Sequence, residues 1–282
     1  MSEIKIGDIV ARKSYGYDTV FKVANIQELR NGERILTLKG IEFRIEADSP
    51  ESDLKIVSEK KIDKPRFKKG EAKKMISETK GASSFFRKGF QREGQAFVNP
   101  GKILHIDGAK DYLDKCKEYY VEIGAEAVII DVAEKEQPMK VYALLEQYRP
   151  DILVLTGHDG MIKGNAEFNN IQNYRNSLYF INATKEARKY NNSLDDLVIY
   201  AGACQSNYEA ILAAGANYAS SPKRVFIHMF DPAIVAGKVS LGGIGRILPI
   251  NEVVADTNTG FEGVGGLETW GKARRGAPKA II

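Results

Sequence analysis

Two side chains in this 282-residue sequence are set up for acyl-transfer chemistry by matched surroundings. His158 follows the run Asp151-Ile-Leu-Val-Leu-Thr-Gly, and Cys204 follows Leu197-Val-Ile-Tyr-Ala-Gly-Ala. Each run is apolar, has the length of a buried strand and ends in small residues. In an open parallel sheet the strand carboxyl ends share one edge, where ligand crevices form, so both residues are expected on one rim. A thiol needs a base or an electropositive neighbour to become a good nucleophile at neutral pH. The chemistry expected is that of a cysteine hydrolase. His158 takes the thiol proton or protonates the leaving amine, and Cys204 attacks a carbonyl to give an acyl-enzyme. Backbone N–H groups must then hold the oxyanion. One is expected from Cys204, at the start of the helix after its strand. The other is expected from the His158-Asp159-Gly160 turn, at Asp159. Either residue alone would read as a buried Cys or a satisfied His; the matched contexts favour catalysis.

The other candidates carry less. Cys116 lies in Asp111-Tyr-Leu-Asp-Lys-Cys-Lys-Glu-Tyr-Tyr, a helical pattern that makes it a small core residue. His105 sits inside a strand and reads as structural, whereas His228 ends the run Arg224-Val-Phe-Ile-His and is the rival base. Gln205, Ser206 and Asn207 read as helix-opening residues. With two cysteines and three histidines, all dispersed, neither a disulfide framework nor a metal-ligand spacing is predicted, and no cofactor is expected.

These side chains need a frame, and the sequence outlines one. Residues 1–58 read as short strands: Ile4–Arg12, Val20–Ile26, Arg34–Lys39 and Ile41–Ile45, with Asn31-Gly32 as a hairpin turn. This predicts a small SH3-like β-barrel. Residues 59–100 form a basic linker, with Lys and Arg continuing to Arg92. From Lys102 the rhythm becomes strand then helix, which predicts a parallel sheet with right-handed crossovers over residues 101–248. The expected strands are Ile103–Ile106, Ala127–Val132, Ile152–Leu155, Leu197–Ala201, Ala216–Ala219 and Arg224–His228. The expected helices are Lys110–Ile123, Glu136–Tyr148, Tyr174–Tyr190 and Gln205–Ala214. The tail, 249–282, is rich in Gly and lacks periodicity, so loop and hairpin structure is expected there.

Composition excludes several classes. The net charge of +4 is modest and the basic run reads as a solvated linker, so no nucleic acid partner is expected. The apolar runs are too short to span a bilayer. The opening Met1-Ser-Glu-Ile-Lys-Ile-Gly-Asp has no signal-peptide core, which predicts synthesis in the cytoplasm. The oligomeric state is not readable.

A strand ending in His with a nearby Gly, followed one βα unit later by a strand ending in Ala-Cys, resembles the caspase–gingipain–clostripain–legumain clan. More closely, the stretches TGHDG, YRNS, SLDDLVIYAGACQS, AGANYASSPKRV and GGLET resemble the YabG family of sporulation proteases of endospore-forming bacteria. The likeness covers nearly the whole chain. It implies a caspase-like (flavodoxin-like) α/β domain and a cysteine endopeptidase that cuts after Arg. It also implies processing of spore coat and cortex-associated proteins, and of the chain itself, with synthesis in the sporulating mother cell and delivery to the spore coat. Two positions depart from the wider clan. Asp159 stands where the clan has Gly after the catalytic His, and Gly202 stands where clostripain-like members have an acid before the Cys.

An arginine pocket needs a carboxylate for fork-like recognition. Asp107, just after the first predicted α/β strand, lies on the same rim by the strand-end rule, with Asp159 and Asp231 as rivals and a helix-capping role as the plain alternative. Self-cleavage is expected in the linker, at Arg66, Arg87 or Arg92. Two other readings stay open. One is a glutamine-amidotransferase-like hydrolase with His228 as base, although Ser206 leaves the G-x-C-x-G elbow incomplete. The other is a non-enzymatic coat scaffold, which leaves the paired His and Cys unexplained.

Overall fold

The computed structural model describes residues 3–58, 97–162 and 167–276. Most of the predicted linker, with Arg66, Arg87 and Arg92, lies outside the described residues.

Five short strands open the chain: β1 (Ile9–Arg12), β2 (Val20–Glu28), β3 (Arg34–Gly40), β4 (Glu46–Pro50) and β5 (Leu54–Ile56). They form one antiparallel sheet in the order β4-β3-β2-β1-β5. Alternation sets its buried face, so that Leu36 and Leu38 of β3 turn inward with Val10, Phe21 and Val23. A register shift between Val23 and Asn25 bulges β2. The predicted strand Ile41–Ile45 does not form. Those residues make a loop between β3 and β4, closed by the Gly40 N–H donating to the Ile45 carbonyl at 2.9 Å.

The second sheet has six strands: β7 (Ile103–Asp107), β8 (Ala127–Asp131), β9 (Ile152–Thr156), β10 (Val198–Ala201), β11 (Tyr218–Ser220) and β13 (Val264–Gly266). Its order is β13-β11-β10-β9-β7-β8, parallel except for β13. Crossovers from β7 to β8 and from β9 to β10 therefore run in opposite directions. A crevice is left at the carboxyl ends of β7 and β9.

Helices cover both faces. Those of α1 (Lys110–Ile123) and α5 (Asp231–Leu241) pack on the face carrying Ile103, Val154 and Tyr200. Helices α2 (Gln137–Tyr148), α3 (Ser177–Tyr190) and α4 (Tyr208–Ala213) pack on the face carrying Leu104, Leu155 and Ile199. Along each strand successive residues alternate between the two cores. Every residue of α5 is buried. A helix buried on every side shows no amphipathic 3.6-residue period, which is why the sequence did not announce it.

The rest of the chain closes around this unit. Helices α6 (Ile250–Val254) and α7 (Gly260–Gly263) precede β13, which pairs with β11. Strand β12 (Ile247–Leu248) pairs with β14 (Thr269–Trp270), and β6 (Phe97–Asn99) with β15 (Arg274–Gly276). The tail thus carries two short helices and an edge strand beyond the loops and hairpin expected.

Candidate active site

The crevice at the ends of β7 and β9 is where the predicted residues meet. Strand β9 ends at Thr156, and Gly157 and His158 follow; strand β10 ends at Ala201, and Cys204 follows after Gly202 and Ala203. Gly202 has φ +108°, and its position leaves little room beside Ser220 and Ile211, so the turn needs a glycine. The Thr156 hydroxyl donates to the Gly202 carbonyl at 2.9 Å, tying the two strand ends together.

The Cys204 and His158 loops are bound through Asp159. Its fully buried carboxylate accepts from the N–H groups of Gly160 and Asn176 and from the hydroxyls of Ser177 and Ser206. Burial pushes its carboxyl up to about 6 even though these four donors oppose the shift. Ser206 also accepts from the Ala203 N–H, and the Gln205 carboxamide accepts from Met161. Asn207 caps α4, accepting from Ala210 at 3.1 Å. The helix begins at Tyr208, later than predicted. The Cys204 N–H is therefore a turn donor, not a helix-terminal one.

Both reactive groups are buried. The Cys204 sulfur accepts from the Ile227 N–H at 2.9 Å, and burial pushes its thiol well above the ordinary range. His158 has no hydrogen-bond partner on either ring nitrogen. Burial, followed by Lys39, lowers it to about 3, so the imidazole is neutral at pH 7. Its ring lies 5.2 Å from that of Tyr112. A cleft of about 450 Å³, lined by Lys22, Lys39, Gly40, Gly108 and Tyr112, reaches His158.

The Ile41–Ile45 segment, predicted as a strand, lies in this crevice. The Arg44 carbonyl accepts from the Cys204 N–H at 3.2 Å and from the Asp159 N–H at 3.1 Å. The Arg44 N–H donates to the Ile227 carbonyl, and the Met229 N–H donates to the Glu42 carbonyl, both at 2.9 Å. Residues 227–229 are thus not the sheet strand predicted at Arg224–His228. They pair with Glu42–Arg44 through an antiparallel bridge between Phe43 and His228. On the other side, the Glu46 N–H donates to the Asp159 carbonyl at 2.8 Å.

The Arg44 side chain is fully buried. Its Nη1 donates to Asp107 Oδ2 at 2.8 Å and to the Gly157 carbonyl at 3.4 Å. Its Nε and Nη2 donate to the Met229 carbonyl at 3.2 and 2.7 Å. The guanidinium carbon stands 4.9 Å from the Tyr112 ring centre. Burial pushes the Asp107 carboxyl up, but the Arg44 guanidinium and His105 outweigh it and hold the group well below the usual carboxylate range. Asp107 also caps Ala109 N–H at 2.8 Å.

The rivals are engaged elsewhere. Asp231 accepts from Asn258 and Thr259. His228 Nδ1 is 3.0 Å from Asn258 Nδ2. His105 Nδ1 is 3.0 Å from the Tyr120 hydroxyl, and Cys116 lies on the buried face of α1 with its thiol pushed up to about 12 by burial. Two participants were missed by the sequence reading. Glu134 lies just beyond β8; its carboxylate accepts the His158 N–H at 2.7 Å and stands 3.9 Å from His158 Nδ1. The strand-end rule applied to β8 would have found it. Nothing in the alternation of Ile41-Glu-Phe-Arg-Ile marked Arg44.

Comparison with known proteins sets this geometry in a family. The profile of the family described as YabG peptidase U57 matches residues 5–278. The chain belongs to the YabG peptidase family. It is 39% identical, over 98% of each chain, to the sporulation-specific protease YabG of Bacillus subtilis (strain 168). No solved structure matches. Membership makes the chain a protease with a role in sporulation, and its substrates are proteins. Among the described residues, no helix is long and apolar enough to cross a membrane.

Proposed function

We propose that this YabG-family protease is a cysteine endopeptidase that cuts after arginine. Cys204 is the nucleophile, neutral His158 the base, and the N–H groups of Cys204 and Asp159 the oxyanion hole. Asp107 is the acid that selects arginine. The observation that carries this reading is the seating of Arg44. One arginine has its carbonyl oxygen on the two proposed oxyanion donors and its guanidinium on the proposed selecting acid. The donors stand at hydrogen-bonding distance from that oxygen, as oxyanion stabilisation requires.

Residues 227–229 would hold substrate residues before the cut as an antiparallel partner, a mode in which main-chain bonds give affinity and side-chain pockets give specificity. A neutral imidazole and a protonated thiol on one sheet edge suit proton transfer during attack. Glu134 would fix the His158 ring. The strand order of the parallel sheet, with both groups on its carboxyl edge, fits a caspase-like domain, and the antiparallel sheet fits an SH3-like module. His228 as the base of an amidotransferase is less well supported, since its Nδ1 is held by Asn258.

In the spore the substrates are taken to be coat and cortex-associated proteins, with the enzyme ending in the coat. The direct test is a short peptide with Arg before the cut and a thiol-reactive electrophile in place of the scissile bond. It should add once, at Cys204, in the wild-type protein and fail in His158→Ala. Labelling of Cys116, or equal labelling by the same peptide with Ala in place of Arg, would overturn the assignment.

A further inference from the structure

The segment in the crevice belongs to the chain itself. We propose that Glu42–Glu46 is a built-in substrate and that the Arg44–Ile45 peptide bond is cut by the chain's own Cys204. The proposal rests on the cysteine peptidase reading and extends it to a particular bond.

A structural anchor between the antiparallel sheet and the α/β unit would need only the Arg44–Asp107 pair. The segment makes more than that. Its backbone pairs with residues 227–229 before Arg44 and with Asp159 after it. Its carbonyl at Arg44 takes both N–H groups that an acyl-transfer site needs. Phe43 stands with ring centres 5.8 Å from Phe226 and 6.2 Å from His228. Glu42 Oε1 stands 3.7 Å from His228 Nε2. The loop is also shaped for presentation. The Tyr112 hydroxyl bonds to the carbonyls of Gly40 and Phe43, and any Cβ at Gly40 would overlap the Phe43 carbonyl.

The step is balanced as follows. Cys204 Sγ bonds to the Arg44 carbonyl carbon, and its proton passes through His158 to the Ile45 nitrogen. The Arg44–Ile45 bond breaks, leaving a thioester at Arg44 and a free amine at Ile45. Water, entering by the cleft that reaches His158, then attacks the thioester. It leaves the Arg44 carboxylate and restores the thiol.

Cutting does not by itself separate the pieces. Strand β3 still pairs with β4, and β1 with β5, across the cut. Until the first piece leaves, Arg44 occupies the pocket that other substrates need.

The test uses the full chain. Denaturing mass spectrometry of the wild-type protein should find one fragment ending at Arg44 and another beginning at Ile45. The two should co-elute under native conditions, and Cys204→Ala should stay whole between them. Arg44→Gln should lose this cut and hydrolyse an added Arg-containing peptide at an initial rate at least tenfold above the intact wild-type chain. A wild-type chain that hydrolyses the peptide yet stays intact between Arg44 and Ile45 overturns the proposal and leaves Arg44 an anchor, with the peptidase reading standing. Absence of both self-cutting and peptide hydrolysis, in wild type and Arg44→Gln alike, overturns the peptidase reading as well. The mass measurement on wild type needs no variant to fold.

Discussion

The Arg44 guanidinium and the Asp107 carboxylate meet at 2.8 Å, both fully buried, and the pair joins the loop between β3 and β4 to the carboxyl end of β7. A buried ion pair is retained only where further hydrogen bonds complete both partners. Here the Met229 and Gly157 carbonyls complete the arginine, and the Ala109 N–H completes the aspartate. Removing one partner strands the other in a site without solvent. In a Cys204→Ala background, Asp107→Asn and Arg44→Met should each destabilise the fold by about 3 kcal/mol. The double variant should cost clearly less than the sum. Additive losses in denaturant titrations would show that the two residues are not coupled.

Selectivity should follow the same carboxylate. Asp107→Asn is expected to lower kcat/KM for peptides with Arg before the cut by roughly 10²-fold or more, with a much smaller effect on peptides with an uncharged residue there. A fork-shaped guanidinium uses the Asp107 and carbonyl acceptors together, so Arg should also exceed Lys. Arg preference that survives Asp107→Asn but is lost in Asp159→Asn or Asp231→Asn would move the pocket to that other acid.

Cys204→Ala and His158→Ala should each abolish peptide cleavage, and the double variant should be little worse than either single one, because members of one catalytic unit are not additive. Cys116→Ala should retain most of the activity, since that thiol is buried in the core on the inner face of α1. Kinetics on the purified variants decide this; full activity in Cys204→Ala would remove the nucleophile assignment.

Glu134 provides a test at a distance from the reacting atoms. A Cβ at Gly157 or Gly108 would overlap the Glu134 carboxylate, which receives the His158 N–H. Gly157→Ala should therefore lower kcat by at least about tenfold while KM changes little. Glu134→Gln, which keeps the shape and an acceptor, should lose less. Equal losses in KM and kcat, or unfolding seen by circular dichroism, would indicate a packing role alone.

Acid stability should report the buried imidazole. His158 is lowered to about 3 from an ordinary 6.5, so below pH 6.5 the unfolded chain binds a proton that the fold refuses. Stability must then fall as pH drops through that window. In a Cys204→Ala background, the protein with His158 should lose about 2 kcal/mol more between pH 7 and pH 5 than its His158→Gln counterpart. Asp159, pushed up to about 6 by burial, acts in the opposite direction but equally in both proteins. Parallel stability curves would place His158 in contact with solvent.

The α/β frame was legible because its signals are local. Apolar runs ending in small residues gave β7, β9 and β10, and 3.6-residue periodicity gave α1, α2 and α3. The strand-end rule applied to those runs puts His158, Cys204 and Asp107 on one edge. It failed where pairing is not local. Ile41–Ile45 and Arg224–His228 are both rich in β-formers and read as strands of their own sheets. In the fold they bridge to each other across the crevice, which alternation within either segment cannot reveal. Helix α5 was hidden because burial on every side erases the amphipathic period.

The residues proposed to attack, to shuttle a proton and to bind a guanidinium were thus picked out by residue type and strand position alone. Only the tertiary structure decided what fills the site. Closing the antiparallel sheet onto the α/β unit merges Val10, Phe21 and Leu38 with Ile227 and Cys204 in one apolar cluster. That burial places the loop after β3 over the carboxyl edge of the parallel sheet. Once water is excluded there, the Arg44 charge is held by Asp107 and its carbonyl by Cys204 and Asp159. No sequence period encodes that fit, because its partners lie 63 and more residues apart.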